Sequence, residues 1–393
     1  MASFIIFGAG GRQGEASGYF LAKHYGANQI ALVDIDKNKA VKTAIKLKKL
    51  LGPDCKTSFL NVVVEYYDDK AVKLVSRFDV LISALPHRFN LALTKLAIKA
   101  GTNYCDYGFD EGIVARQLEL NESAKEKNVT VIPNCGIEPG LSDIVAVGGA
   151  KKWQADGVEI YVGGIASKPQ TAFRYAKLFA GLFHEYVGKT VVLENSEVKE
   201  VEALDGYFLI ESGDREEDYE AFYTRMPFGP TARALKDAGV KNAFSKTLRL
   251  KGHHQVLMAL KELGLLSESP LWVGANRIIP LEITERLFDQ NMPEAEKDYM
   301  IFRVVFKNGW RKVQQIEMTI HNDRETGLSA MQIATSSVVA AIARKLALKK
   351  FPAGVYLPHE ASDFEDMLKE LIKMKIAPIM TLEPFLENKD GER

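Results

Sequence analysis

The chain has little of what marks a secreted, membrane-spanning or metal-bearing protein. Only three cysteines occur in 393 residues, Cys55, Cys105 and Cys135. Such an odd and sparse set, with no C-x-x-C spacing, fits a reduced cytoplasm. Cys105 and Cys135 both fall near expected strand ends, where buried free thiols are the simplest outcome. No apolar run approaches the roughly 18 to 20 residues of a membrane span. The first residues read as a strand and a glycine turn, without a basic region or a small-residue cleavage site, so a cytoplasmic location is expected. Neither sign of charge dominates: 51 basic residues meet 51 acidic ones, and bulk charge points to no nucleic-acid or membrane partner. The seven histidines include no H-E-x-x-H, so no metal is expected. "GLSDI" is not a nucleophile elbow, which leaves hydrolytic Ser/His/Asp chemistry unsupported.

What is present is an ordinary globular composition, 47% apolar and 26% charged, in a chain long enough for two cores. The alternation of apolar strands with helices up to about residue 150 predicts an α/β Rossmann fold, a doubly wound parallel sheet. Its expected strands are "SFIIFG", "IALVDI", "FLNVVVEY", "DVLISA", "NYCDY" and "VTVIPN". Several are apolar throughout, as strands covered on both faces must be. Beyond "NCGIEPGLSDIVAVGGAKKW" the pattern changes to "GVEIYVGGI", a helix-like "AFRYAKLFAGLFHEYV", and short strands and turns. A second α+β domain with a largely antiparallel sheet is therefore expected. Asn308 and Gly309 in "VVFKNGWRKV" suggest a type I′ hairpin turn. The small-residue helix "GLSAMQIATSSVVAAIARKLALKK" returns the chain to the first domain. The expected division is 1–145 with 324–393 for the cofactor domain, and 146–323 for a substrate and oligomerisation domain. Only the last residues, "ENKDGER", look disordered.

The stretch "FIIFGAGGRQGEA" runs from a strand through glycines into a helix. Read as G-x-G-x-x-G from Gly8 and Gly10 it fails at Gln13; read through Gly8, Gly11 and Gly14 it holds. Gly8, Gly10 and Gly11 serve a tight turn and close approach of a pyrophosphate, with Arg12 and Gln13 opening the helix. Gly14 serves helix–strand packing. Asp34 ends the next strand, 20 residues after Gly14, where a carboxylate accepts ribose hydroxyls and favours NAD over NADP. Arg12 and Lys37 stand where a 2′-phosphate would be met, so NADP stays open. Ser83, Ala84, Leu85 and Pro86 follow the fourth strand and would run beside the nicotinamide ribose, with His87 just beyond.

The ordered set "ALPHRFN", "AGTNYCDYG" and "VIPNCGIEPGLSDI" resembles the saccharopine dehydrogenase-like superfamily, whose members carry a strand-end Asp, here Asp106, and a G-φ-x-P-G loop, here "GIEPG". The resemblance is strongest to its lysine 6-dehydrogenase branch. "YVGGI" (161–165), "EAFYT" (220–224), "KTLRLKGH" (246–253), "NDRE" (322–325) and "GVYLPHE" (354–360) occur in the same order. It implies NAD(P)-dependent oxidation at a C–N bond of an amino acid. Lysine would give allysine, which cyclises to piperideine-6-carboxylate; saccharopine reductases and carboxynorspermidine synthases act instead on secondary amines. The chain departs from the branch at Arg225-Met226-Pro227-Phe228-Gly229, a larger and more basic turn that keeps a dicarboxylate secondary amine open. A non-catalytic NAD-binding sensor is the reading of another class.

Hydride leaves a carbon bearing nitrogen only when the amine is neutral, so a proton acceptor is needed. Asp106 is the first candidate for binding the ammonium, with helix capping as its alternative. His253, opening a helix in the second domain, is the candidate base or water-orienting group; His254 has no such support. A carboxylate asks for a bidentate cation, which Arg249, Arg225 or Arg174 would supply, with Thr224 beside them. A homodimer or homotetramer is expected, because the second sheet would otherwise expose its edges.

Overall fold

The computed structural model describes residues 2–64, 67–169, 171–178, 181–210 and 218–376, and the backbone of 379–381. Six strands, β1 (Ser3–Phe7), β2 (Gln29–Val33), β3 (Ser58–Val62), β4 (Val80–Ser83), β5 (Asn103–Asp106) and β6 (Thr130–Ile132), form a parallel sheet. Their order is β6-β5-β4-β1-β2-β3, so the winding reverses between β1 and β4. That switch point is where an open α/β sheet presents its ligand crevice. The central strands are apolar on both faces and fully buried, with Ile5, Ile6, Ile82 and Leu81 all at 0% exposure. Asp36, Asp68 and Asp110 cap three of the crossover helices through side-chain bonds to backbone amides, each contributing about 1 kcal/mol.

The second sheet is built from β7 (Gly157–Ala166), β8 (Lys189–Glu194), β9 (Glu197–Glu202), β10 (Phe208–Ile210), β11 (Tyr219–Phe222) and β12 (Asn242–Leu250). A separate hairpin, β13 (Leu271–Val273) and β14 (Asn276–Ile278), precedes the long β15 (Asp298–Asn308) and β16 (Arg311–His321). Within it, among the described residues, only β7 and β12 run parallel; the remaining ladders are antiparallel. The core face of β7 and β15, with Val158, Ile160, Phe302 and Phe306, packs on the helix Leu141–Trp153 and joins the core of the first lobe.

The chain then crosses back. The helix Ala330–Ala347, capped by Ser329 and Gln332, lies along the first helix, Arg12–Tyr25, its alanines allowing the close approach. Next, β17 (Gly354–Val355) adds a seventh parallel strand beside β6, and β18 (Ile379–Thr381) pairs with β16 in the second sheet. No helix among the described residues is long and apolar enough to cross a membrane.

Three local expectations are corrected. "AFRYAKLFAGLFHEYV" is not an α-helix: its described residues form turns and a short 3-10 helix, Leu182–Tyr186. Left-handed Arg174 and Gly181 break the helical path, and Phe173, Tyr175, Phe183 and Tyr186 gather as an aromatic cluster instead. At the long hairpin, Asn308 pairs with Arg311, so the loop is Gly309-Trp310; only Gly309 has positive φ, the type II′ signature rather than I′. The strand in "FLNVVVEY" stops at Val62, as suits an edge strand with one partner; residues 65 and 66 and the tail "ENKDGER" lie outside the described residues.

Candidate active site

At the carboxyl ends of β1 and β2 the glycine turn is shaped by close contacts. Gly8 takes φ 81° and its amide donates to the Val33 carbonyl at 2.9 Å. A Cβ on Gly14 would lie 2.4 Å from the Gly8 oxygen, so the helix can rest on the strand only with glycine there. A Cβ on Gly10 would fall 2.7 Å from an Asp34 carboxylate oxygen. The Gly10 amide donates to that oxygen at 3.0 Å, while the Asp36 amide holds the other at 3.0 Å. Above Gly11 a Cβ would meet nothing but the Gly8 oxygen, 3.2 Å away. The result is an open concavity over a helix N-terminus, whose first amides lack intrahelical partners, with a fixed carboxylate beside it. These residues fit a dinucleotide: the turn and helix start would receive the pyrophosphate, and Asp34 the ribose.

Gln13 and Arg12 turn toward the rest of the chain. The Gln13 side-chain oxygen accepts from Ser336 at 2.7 Å, and the Arg12 carbonyl from Gln332 at 2.8 Å. Ser17 and Ser336 both bond to the Tyr107 hydroxyl. The Arg12 guanidinium donates through one nitrogen to the Leu178 carbonyl at 2.9 Å and lies 4.0 Å from Glu294, which leaves its other N–H groups on an exposed side chain. At the switch point Ala84 continues the β1 ladder, its amide donating to Phe7 at 2.8 Å. The Ala84 carbonyl would lie 2.6 Å from a Cβ on Gly8, and the Leu85 side chain 3.0 Å away. Ser83 is buried and donates to Asn90 at 2.8 Å, Pro86 is exposed, and His87 packs edge-on against Phe109.

Asp106 is not available to a substrate. It is fully buried, and its two oxygens accept four donors: Tyr104 hydroxyl and Gln117 amide, both at 2.9 Å, and the backbone amides of Gly108 at 2.7 Å and Asn134 at 2.9 Å. Four donors occupy every acceptor position of a carboxylate. Nor does it cap the next helix, a role taken by Asp110. It ties the ends of β5 and β6 together at the base of the "GIEPG" loop.

That loop supplies a residue the sequence reading passed over. Glu138 sits in it, partly exposed, and accepts a hydrogen bond from Ser245 on β12. Burial pushes its carboxyl up to about 8; the Ser245 bond and Arg249 oppose this, and the nearby Asp143 and Glu185 charges add to it. A carboxyl so displaced, facing the second lobe, is a candidate acid–base group. The visible signal was its place inside a quoted motif, but the displacement comes from charges far away in sequence.

Across from Glu138, Arg249 is buried between the rings of Tyr175 and Tyr186. It donates to the Tyr186 hydroxyl at 2.9 Å, the Leu248 carbonyl at 3.0 Å and Glu185 at 3.0 Å. Among the described residues these engage three of its five N–H groups. Beside it, the buried Tyr175 hydroxyl has no partner among the described residues. Arg225, half-exposed, lies 3.8 Å from Glu268, and its amide donates to the Glu185 carbonyl at 2.7 Å. Thr224 is buried. Arg174 reaches Gly252 at the start of the helix His253–Glu262.

His253 is corrected as the candidate base. It is fully buried with both ring nitrogens engaged, by Tyr186 at 3.0 Å and the Phe173 carbonyl at 2.9 Å. Burial first, and the Arg249 charge second, push its pKa down to about 3. His254 donates from Nε2 to the Leu204 carbonyl, 2.7 Å away. Lys246, in the same segment, faces the opposite side of the sheet. Its ammonium donates to Gly206 at 2.6 Å over the rings of Phe208, Tyr223 and Phe244, and burial lowers its pKa to about 8.

Comparison with known proteins covers almost the whole chain. The sequence profile described as the Saccharopine dehydrogenase NADP binding domain matches residues 4–132, and that of the Saccharopine dehydrogenase C-terminal domain matches 136–376. Among curated proteins, the mitochondrial alpha-aminoadipic semialdehyde synthase of Bos taurus is 23% identical over 281 residues, 68% of this chain and 30% of its own length. The L-glutamate-forming, NADP(+) saccharopine dehydrogenase of Pyricularia oryzae is 22% identical over 227 residues, 53% of this chain and 48% of its own. The chain thus spans less than half the length of these relatives. In structure it is similar to apo saccharopine dehydrogenase (L-Glu forming) from Saccharomyces cerevisiae, with a TM-score of 0.76 at 14% identity, covering 98% of this chain and 100% of that one. Homospermidine synthase from Legionella pneumophila, solved with NAD, gives 0.66 at 10% identity over 100% and 94% of the two chains.

Proposed function

The chain belongs to the saccharopine dehydrogenase family, and on that premise we propose that it is an NAD(P)-dependent dehydrogenase that oxidises a C–N bond of an amino acid. The substrate we put first is L-lysine, oxidised at its ε-carbon. The observation that carries the reading is the facing set of Glu138, Glu185 and Arg249: one cation with two carboxylates. That charge pattern complements an amino acid with one carboxylate and a distal amine, and is poorly matched to a carboxylate-rich saccharopine.

In this reading the two uncommitted N–H groups of Arg249 take the substrate carboxylate, while Glu185 keeps that guanidinium oriented. Glu138 accepts the proton of the distal ammonium. With a pKa raised to about 8, it is a far better acceptor for an amine of pKa about 10 than an ordinary carboxylate. The nicotinamide, when bound at the switch point, supplies the hydride acceptor. The amine lone pair and departing hydride leave an iminium on the substrate; water adds, ammonia leaves, and the aldehyde closes on the α-amine to piperideine-6-carboxylate. Asp34, anchored by two amides, favours NAD because a 2′-phosphate would meet its charge.

A second reading, a saccharopine-type secondary amine, is favoured by Arg225 at the rim, where it would meet a further carboxylate, and by the names of the relatives. Reduction of NAD(P)+ at alkaline pH, with L-lysine, saccharopine, other diamino acids and polyamines, separates the two. Turnover of lysine without saccharopine supports the first and the reverse replaces it; NAD binding with no turnover leaves a sensor. Copies of the chain are proposed to associate through the β13–β14 hairpin. It pairs with no other strand among the described residues and exposes Leu271, Trp272 and Val273, although an isolated hairpin is marginally stable.

A further inference from the structure

We infer that His253 is a positioning residue that fixes the plane of the Arg249 guanidinium through the Tyr186 hydroxyl; this rests on the reading of Arg249 as the carboxylate ligand. The direction of every link follows from its ends. The Phe173 carbonyl accepts only, so the imidazole nitrogen 2.9 Å from it, Nδ1, carries the hydrogen. In the neutral ring Nε2 then presents a lone pair to the Tyr186 hydroxyl 3.0 Å away, and that hydroxyl donates to it. The Tyr186 oxygen therefore turns a lone pair toward Arg249 Nε, which donates to it at 2.9 Å. Arginine donates only, so the chain from Arg249 to Phe173 has one possible sense.

The imidazole has no freedom to leave this arrangement. The rings of Phe173, Tyr175 and Tyr186 surround it, with centroids at 5.1, 5.2 and 5.7 Å. Its backbone is held as well: the Glu220 carboxylate accepts the amides of Gly252 and His254 on either side. Burial and the Arg249 charge keep the ring neutral, which the sense of the chain requires. A protonated ring would turn a donor toward Tyr186 and leave that hydroxyl's own hydrogen without its acceptor, so the Tyr186 oxygen would no longer be held in one orientation before Arg249. The same Tyr175 ring that flanks His253 lies under Arg249, 5.7 Å from its central carbon. A guanidinium gripped at Nε, at Leu248 and at Glu185 offers its remaining N–H groups in one orientation, which a bidentate carboxylate demands.

The test uses the full chain and the variants Tyr186→Phe, His253→Leu, His253→Gln, the double variant Tyr186→Phe/His253→Leu, and Arg249→Lys. Steady-state kinetics with the amino-acid substrate should show KM raised about 10- to 100-fold in Tyr186→Phe and His253→Leu, with kcat and the KM for NAD within about threefold. His253→Gln, which keeps an acceptor for Tyr186, should recover most of the loss. The double variant should be no worse than its worse parent, because both break one link. A merely structural role would lower the active fraction and kcat with KM unchanged, or give additive losses, and either result overturns the inference. If Arg249→Lys leaves KM unaltered, the carboxylate reading fails. If Arg249→Lys raises KM but the other variants do not, the positioning role alone fails. Hydrogen exchange at Arg249 Nε, followed by NMR, decides the geometry without any substrate: exchange should be at least about tenfold faster in Tyr186→Phe and His253→Leu, and rates equal to wild type would sink the inference.

Discussion

Replacing Glu138 by Gln should make the protein more stable and less active under the same conditions. Raising a carboxyl from 4.5 to about 8 costs the ionised folded state up to about 5 kcal/mol, at 1.36 kcal/mol for each pKa step. The sign follows from linkage. Below pH 4.5 the residue is protonated whether folded or unfolded, and no penalty exists. Between 4.5 and about 8 the unfolded chain ionises while the folded one does not, so stability falls, and above about 8 the full loss is reached. Glutamine is neutral throughout and keeps the Ser245 contact. Thermal unfolding should therefore show Glu138→Gln level with wild type at pH 4.5 and several degrees higher at pH 9. Turnover should move the other way. Wild-type kcat/KM should fall about tenfold per pH unit below 8, and the variant should lose about 10²- to 10⁴-fold at pH 9 and no longer show that limb. A variant with an unchanged limb near 8 would place the proton acceptor elsewhere, and one destabilised at pH 9 would refute the burial argument.

Other perturbations separate the remaining roles. Asp34→Ala should weaken NAD far more than NADP, measured by fluorescence titration; an equal loss would remove the ribose contact. Asp106→Asn should cost about 3 kcal/mol in urea unfolding, because two of its four donors lose an acceptor, while kcat per folded molecule changes little. A collapse of kcat at unchanged stability would instead restore Asp106 as a group that meets substrate. Trp272→Asp should shift the chain toward monomer in light scattering, and an unchanged mass would free the hairpin from the interface.

The parts of this fold that were legible in sequence are those written in short range. Apolar strands and the spacing of Gly8, Gly11, Gly14 and Asp34 each depend on neighbours within one βαβ unit, so their pattern is self-contained. The site between the lobes is not local. Glu138 owes its raised pKa to burial and to charges from Asp143 and Glu185, none of which periodicity shows. His253 looked like a base from its residue type, but the aromatic cluster that encloses it arises where a helix was expected and two left-handed residues broke it. The contact of Arg12 with Leu178, 166 residues away, is equally beyond local pattern.

The strand β17 and the helix Ala330–Ala347 complete the first lobe with residues that follow the second. A ribosome therefore releases the glycine turn and its five neighbouring strands long before their last covering exists. Until then Gln13 and Tyr107 lack their partner Ser336. Vectorial synthesis can build the sheet's centre early, but a finished cofactor lobe must wait for the helix Ala330–Ala347 and for β17. A nascent chain arrested before residue 330 should accordingly expose an apolar helix face and hold NAD weakly, although every glycine of its turn has already been made.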